Sequence, residues 1–161
     1  MIKALRSLFR KPTFTEQIEA EIAKLYDPQN TTDRIGLVLL VNIQNQLDLL
    51  GYEIGQVPNA EPFNSKKCRG TLYGLALGVM DCEQIPPNRD TFIDTVIAAF
   101  GLVFGHPVGA DIAQQTDSDI SAQDLDVAWA ADWSIRDLKG VYESGAVTSW
   151  AAFYLAAKKM I

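Results

Sequence analysis

The residues of this chain that could take part in chemistry are few and lie far apart in the sequence. Four polar side chains, Tyr73, Asp81, Cys82 and His106, are candidates for lining a ligand-binding or catalytic pocket. His106 is the single histidine and could serve as a general base or a pH-sensitive group. No serine or cysteine motif accompanies it, and its place beside Pro107 favours a structural turn. We therefore assign no catalytic residue and favour a non-enzymatic protein.

Five aspartates with no lysine or arginine among them occupy one segment: Asp111, Asp117, Asp119, Asp124 and Asp126. From Asp117 onward the segment superficially resembles a calcium-binding loop. Such a loop needs glycine at its sixth position and a bidentate glutamate at its twelfth, where this chain has Ala122 and Ala128. We interpret the segment as a helix start capped by Ser121, with Asp124 completing a capping box. Weak cation binding is the alternative, and we predict no metal or cofactor.

Trp129, Trp133 and Arg136 are the strongest candidates for a binding surface. Their spacing of four and three residues places them on one face of a helix predicted from about 122 to 143. Tryptophan and arginine are enriched where binding energy concentrates in protein interfaces. The alternative is that these aromatics belong to the core. A second arc of the same helix is predicted to face the core: Ala128, Ala131, Ile135, Leu138 and Tyr142.

The element around which the other helices are predicted to pack runs from Cys68 to Cys82 and contains Gly70, Gly74 and Gly78 on one side. Each glycine weakens a soluble helix by roughly 1 kcal/mol relative to alanine, so we expect a closely packed partner helix to compensate. The helix from Arg89 to Phe104 is apolar around most of its circumference. We predict that it is the most buried helix and the partner of the glycine stripe.

Capping and helix-breaking residues place the other helices. One is predicted from Phe14 to Tyr26, and a second from Thr32 or Asp33 to Leu50, closed by Gly51. Ser65 and Asn88 are predicted to cap the helices that follow them. The last helix is predicted from Ala146 to Ile161, with an inner face that comprises Val147, Trp150, Ala151, Tyr154 and Leu155.

These elements predict an all-α fold: a single compact domain of about six helices around the glycine-striped central helix, spanning residues 13–161. Residues 1–12 form a basic amphipathic segment with Lys3, Arg6, Arg10 and Lys11 on its polar side. We expect this segment to pack on its own domain or on a neighbouring subunit. A membrane-surface anchor or a docking helix for an acidic partner is the alternative.

Charge and cysteine usage exclude several classes of function. The 161-residue chain has a net charge of -6, which disfavours nucleic-acid binding. No apolar run approaches the roughly 18 residues of a membrane span, so we expect no stable membrane insertion. Cys68 and Cys82 would lie about 21 Å apart along a helix, too far for a disulfide. Two free thiols indicate a reducing compartment, and we predict a cytoplasmic protein.

The basic first turn of the central helix contains Lys66, Lys67 and Arg69, where the helix dipole disfavours positive charge. We interpret these residues as salt-bridge partners of nearby acids, with an anionic ligand as the alternative.

The predicted function is that of a small acidic helical protein-interaction domain, adaptor-like or inhibitor-like, that binds another protein or itself as a homodimer. The charge difference between the acidic segment and the basic N-terminus permits self-association. The alternative is a ligand-binding or enzymatic helical bundle with a pocket beside the central helix. The predicted partner-binding residues are Trp129, Trp133, Arg136, Asp117 and Asp119.

Overall fold

A computed structural model of the chain describes residues 30–86, 88–144 and 150–161. Within these ranges the chain is all-α, as predicted, with six helices and no β-strand. The helices are α1 (Thr31–Leu50), α2 (Lys66–Cys82), α3 (Arg89–Phe104), α4 (Val108–Ser121), α5 (Leu125–Ser144) and α6 (Ala152–Ala157). The chain divides into two units at Arg34, and the second unit, Ile35–Ile161, is compact. All tertiary packing described below lies within the second unit.

Several predictions lie outside the described residues and stay predictions. They concern the basic segment 1–12, the helix from Phe14 to Tyr26, and the residues 145–149 at the start of the last predicted helix. The proposed domain from 13 to 161 also extends into this part of the chain.

The glycine stripe of α2 is in close contact with another helix, as predicted. A Cβ atom on Gly70 would lie 2.8 Å from the Cβ of Ala130, and one on Gly74 would lie 2.8 Å from the Cα of Ala131. A Cβ on Gly78 would lie 3.0 Å from Leu138 Cδ2. All three neighbours belong to α5, so the two backbones approach each other where side chains would hold them apart.

The prediction that α3 is the partner of the stripe, and the most buried helix, is wrong. Twelve of the 17 residues of α2 are buried, against six of 16 in α3, where Ile93 is exposed. The stripe instead meets small side chains of α5, because Gly70 lies against Ala130 and Gly74 against Ala131. Instead, α4 approaches α3 closely at Gly109, where a Cβ would lie 2.6 Å from the carbonyl oxygen of Phe100.

Two predicted N-caps are confirmed. The Ser65 hydroxyl accepts a hydrogen bond from the backbone N–H of Cys68 at 3.2 Å, and the Asn88 side chain accepts one from Asp90 N at 2.9 Å. Each cap satisfies a donor that has no partner inside the helix. At the start of α1, Asn30 accepts from Thr32 N at 2.9 Å, so the cap lies before the predicted Thr32 or Asp33.

The predicted cap at Ser121 is wrong, because Ser121 is the last residue of α4. The cap of α5 is Asp124, whose Oδ1 accepts from the N–H groups of Asp126 at 3.1 Å and Val127 at 3.3 Å. The sequence did not predict α4, because its apolar pattern is weak: most of its residues are polar, and its buried stripe is narrow. The buried stripe includes Ile112, Ala113 and Thr116.

The C-terminal segment is anchored by buried hydrogen bonds. Trp150 is fully buried, and its indole N–H donates to the Ser134 hydroxyl at 2.9 Å. Ser134 in turn donates to the carbonyl of Thr71 at 2.7 Å. The buried side chain of Gln46 donates to the carbonyl of Trp150 and accepts from Tyr154 N at 3.2 Å. These bonds join α1, α2 and α5 to the last segment.

The predicted inner face of the last helix is only partly right. Trp150 is buried, but Ala151, Tyr154 and Leu155 are half-buried. The buried residues of α6 are Ala152, Phe153, Ala156 and Ala157. The helix begins only at Ala152, so it is shorter than predicted. Its buried face also differs from the predicted one.

Candidate functional site

Helix α5 has one face in the core and an opposite face in solvent. The buried residues are Val127, Ala130, Ala131, Ser134 and Leu138. The predicted inner arc was therefore only partly right. Of that arc, Ala131 and Leu138 are buried, Ala128 and Ile135 are half-buried, and Tyr142 is exposed. The glycine stripe of α2 brings Ala130 and Ala131 of α5 against Gly70 and Gly74, and this contact sets a rotation of α5 that differs from the predicted one.

We call the opposite face the outer stripe: Leu125, Trp129, Asp132, Arg136 and Gly140. Steps of three or four residues place all five on one side of the helix. Leu125 is 82% exposed and Trp129 is 45% exposed. A Cβ atom built on Gly140 meets nothing within 4 Å, so the surface above Gly140 is open.

The three residues predicted to form a binding surface lie on the same helix but differ in exposure. The Trp129 ring is on the surface, with the Lys67 ammonium 5.5 Å from its centroid. Arg136 is exposed and pairs with Asp132 at 2.7 Å. Trp133 is half-buried and packs against the hydrophobic core. Trp133 therefore contributes to the core and only flanks the outer stripe.

Asp117 and Asp119, the other two predicted partner-binding residues, lie on α4 and bond to side chains of α2. Asp119 accepts a hydrogen bond from Arg69 at 2.6 Å, and Asp117 accepts one from the Tyr73 hydroxyl at 2.8 Å. Burial and the neighbouring Asp117 both raise the pKa of Tyr73, so this phenol remains a donor. Both carboxylates therefore have a role within the fold, in holding α4 against α2.

The salt-bridge interpretation of the basic first turn is confirmed for two residues. Lys66 pairs with Asp124 at 2.5 Å, and buried Arg69 pairs with Asp119. The hydrogen bond between Lys66 and Asp124 raises the pKa of the lysine and lowers the pKa of the aspartate. Asp124 thus caps α5 and ties the start of α5 to the start of α2.

The four candidate pocket residues do not form a common site. Tyr73 bonds to Asp117, Asp81 pairs with Lys139 at 2.6 Å, and His106 is exposed between α3 and α4. Both cysteines are free thiols, as predicted. Burial raises the pKa of Cys82, which disfavours the thiolate that a nucleophile needs.

A pocket of about 430 Å³ lies at the start of α2. Its lining includes three lysines, Lys66, Lys67 and Lys159, and two acids, Glu61 and Asp126. The unusual basic first turn of α2 is the sequence signal that marks this pocket. None of the four predicted pocket residues lines it.

The chain was compared with protein-family models, with curated proteins and with solved structures, and nothing matches. In the described part of the chain, no helix combines the length and the apolar content that a membrane crossing requires. Nor do the described residues bring together three or more histidine, cysteine, aspartate or glutamate side chains that could hold a metal ion.

Proposed function

We propose that this domain is a protein-interaction module, adaptor-like or inhibitor-like, and that it binds its partner through the outer stripe of α5. The observation that carries the proposal is the exposure of Trp129 on a helix whose opposite face completes the core. Trp129 is 45% exposed, so the fold leaves much of its ring in water. A large aromatic surface that remains in water is available for burial against a partner.

The surroundings of Trp129 have the composition of an interface. Leu125 adds apolar surface one turn away, and the exposed Asp132–Arg136 pair supplies polar groups at the edge. Lys67 covers part of the indole and orders it before binding. An ordered aromatic loses less conformational freedom on association than a mobile one, so more of its contact energy remains available for binding.

The test is a comparison of tagged variants as bait in a lysate of the source organism, with untagged copies of the chain added. Trp129→Ala should weaken the capture of a specific partner, including the chain itself, by about 2 kcal/mol or more. Leu49→Ala is the matched control, since Leu49 is a 63% exposed apolar residue on α1. Capture that is equal for wild type and Trp129→Ala would show that the outer stripe is not the binding face.

A second candidate function is the binding of a small anionic molecule in the pocket at the start of α2. The observation in its favour is the convergence of three lysines on one cavity of about 430 Å³. Native mass spectrometry of the purified protein tests this candidate. A bound small molecule that is lost on Lys67→Glu would support it, and a spectrum of the bare chain in every preparation would count against it.

A further inference from the structure

We infer that the partner of the outer stripe is a second copy of this chain, with the two α5 helices packed antiparallel about a two-fold axis. The inference rests on the proposed function and names its partner. A two-fold interface requires a surface that complements itself, because every residue on one copy meets its counterpart position on the other. The outer stripe meets this requirement in both shape and charge.

The shape of the stripe is self-complementary about an axis that passes between Asp132 and Trp133. In the antiparallel arrangement, each residue faces a position of the second copy. That position is as many residues after the axis as the first residue is before it. Leu125 then lies opposite Gly140 of the second copy, and Trp129 lies opposite Arg136. Leu125 is the most exposed large apolar residue of the described chain, and the surface of the stripe above Gly140 is open.

The charges select the same arrangement. A parallel pair would place Arg136 directly against Arg136, and like charges in direct opposition destabilise an interface. In the antiparallel pair, the two Arg136 side chains lie about 10 Å apart along the helix, at roughly 1.5 Å per residue. Each Asp132 lies beside the axis, between its own Arg136 and the Arg136 of the second copy.

The approach of Arg136 to Trp129 is compatible with the lysine already beside that ring. Arg136 is bonded to Asp132 at 2.7 Å, so the ion pair that the second copy brings to the Trp129 ring is close to neutral. Its planar guanidinium can stack on the part of the indole that Lys67 leaves exposed.

The size of the stripe sets the expected affinity. Leu125 and Gly140 are separated by about 22 Å along the helix, at roughly 1.5 Å per residue. One helix pair of this length buries less surface than a standard interface, so we expect a dissociation constant in the range of about 1–100 µM.

The experiment is sedimentation of the full chain over protein concentrations from about 1 µM to about 500 µM, a range that brackets this affinity. Wild type should change from monomer to dimer within this range. Gly140→Glu places a charged side chain against Leu125 of the second copy and should raise the dissociation constant at least about tenfold.

Gly36→Glu is the matched control, because Gly36 is an exposed helical glycine on α1 with nothing within 4 Å of a built Cβ. This variant should dimerise like wild type. Neither substitution meets an obstacle in the isolated chain, so both proteins should keep the wild-type melting temperature or exceed it. Equal dimerisation by Gly140→Glu and Gly36→Glu would overturn the inference.

Cross-linking tests the antiparallel orientation independently. In a Cys82→Ser background, Asp132→Cys lies beside the axis and should form an intermolecular disulfide with an added oxidant. Glu143→Cys lies far from its own counterpart in this arrangement and should remain monomeric. Efficient cross-linking of Glu143→Cys with none of Asp132→Cys would exclude the proposed orientation.

The two proposals fail in different ways. A chain that remains monomeric at all concentrations, but captures a different protein in a Trp129-dependent way, overturns the second copy as partner and leaves the interaction function intact. If Trp129→Ala changes neither dimerisation nor capture of another protein, both proposals fail together.

Discussion

Gly74 and Gly36 both lie inside helices, but their surroundings differ. A Cβ on Gly74 would lie 2.8 Å from the Cα of Ala131, whereas one on Gly36 would meet nothing within 4 Å. Gly74 therefore permits close contact between two helices, whereas Gly36 only weakens the helix that contains it. Spacing identified the stripe from the sequence, but the identity of the atoms opposite each glycine required the packed structure.

The difference predicts opposite effects of one substitution. Gly74→Leu should lower the free energy of unfolding by about 1–3 kcal/mol or more, because the backbone of α5 cannot move away without disturbing the core. Gly36→Leu should raise it by roughly 0.5–1 kcal/mol through helix propensity. Chemical denaturation measures both, and equal stabilities for the two variants would show that the stripe is not tightly packed.

Cys68 is fully buried, and burial raises the pKa of its thiol from the ordinary 9.0 to about 11. Between these values the unfolded chain ionises the thiol and the folded chain does not. Stability should therefore be fully present below pH 9 and fall as the pH rises towards 11. The loss should be smaller in Cys68→Ala, as measured by denaturation at several pH values. An unchanged pH dependence in that variant would assign the loss to other groups, among them Tyr73.

At the scale of the element, the start of α5 depends on Asp124, which the sequence predicted to belong to a capping box at Ser121. Asp124 accepts two backbone N–H groups of α5 and pairs with Lys66 of α2. The local pattern assigned the cap to Ser121 and placed Asp124 in the capping box that follows Ser121. The choice between them depends on where α4 ends, which its tertiary contacts decide.

Removal of the true cap should therefore destabilise the protein, whereas removal of the predicted cap should not. Asp124→Ala should lower the unfolding free energy by about 0.5–2 kcal/mol. Ser121→Ala, an exposed position at the end of α4, should change it by less than about 0.5 kcal/mol. Thermal and chemical denaturation would reveal the reverse ranking if Ser121 were the cap.

At the scale of the whole molecule, Gln46 links helices that are remote in sequence. Its side chain donates to Trp150 and accepts from Tyr154, across 104 and 108 positions of sequence. No local pattern predicts such a contact. The local sequence around Gln46 is that of an ordinary helix, in which glutamine is more often at the surface.

Gln46→Ala should leave buried backbone groups of the last segment unpaired and lower the unfolding free energy by about 1–3 kcal/mol. Hydrogen exchange at the Tyr154 amide should accelerate more than exchange in α2. Gln44→Ala is the matched control, since Gln44 donates to Asp48 on the same helix. Equal exchange rates at Tyr154 in the two variants would show that Gln46 does not hold the segment in place.

The amino-acid sequence by itself determined the all-α fold, the central position of α2 and the caps at Ser65 and Asn88. These features depend on residues a few positions apart, so local periodicity and hydrogen bonding suffice to predict them. Tertiary structure alone decided that α5, not α3, covers the glycine stripe. The same contact decided that Trp129 is exposed and Trp133 half-buried, because close backbone approach selects small side chains on the facing helix and thereby sets its rotation.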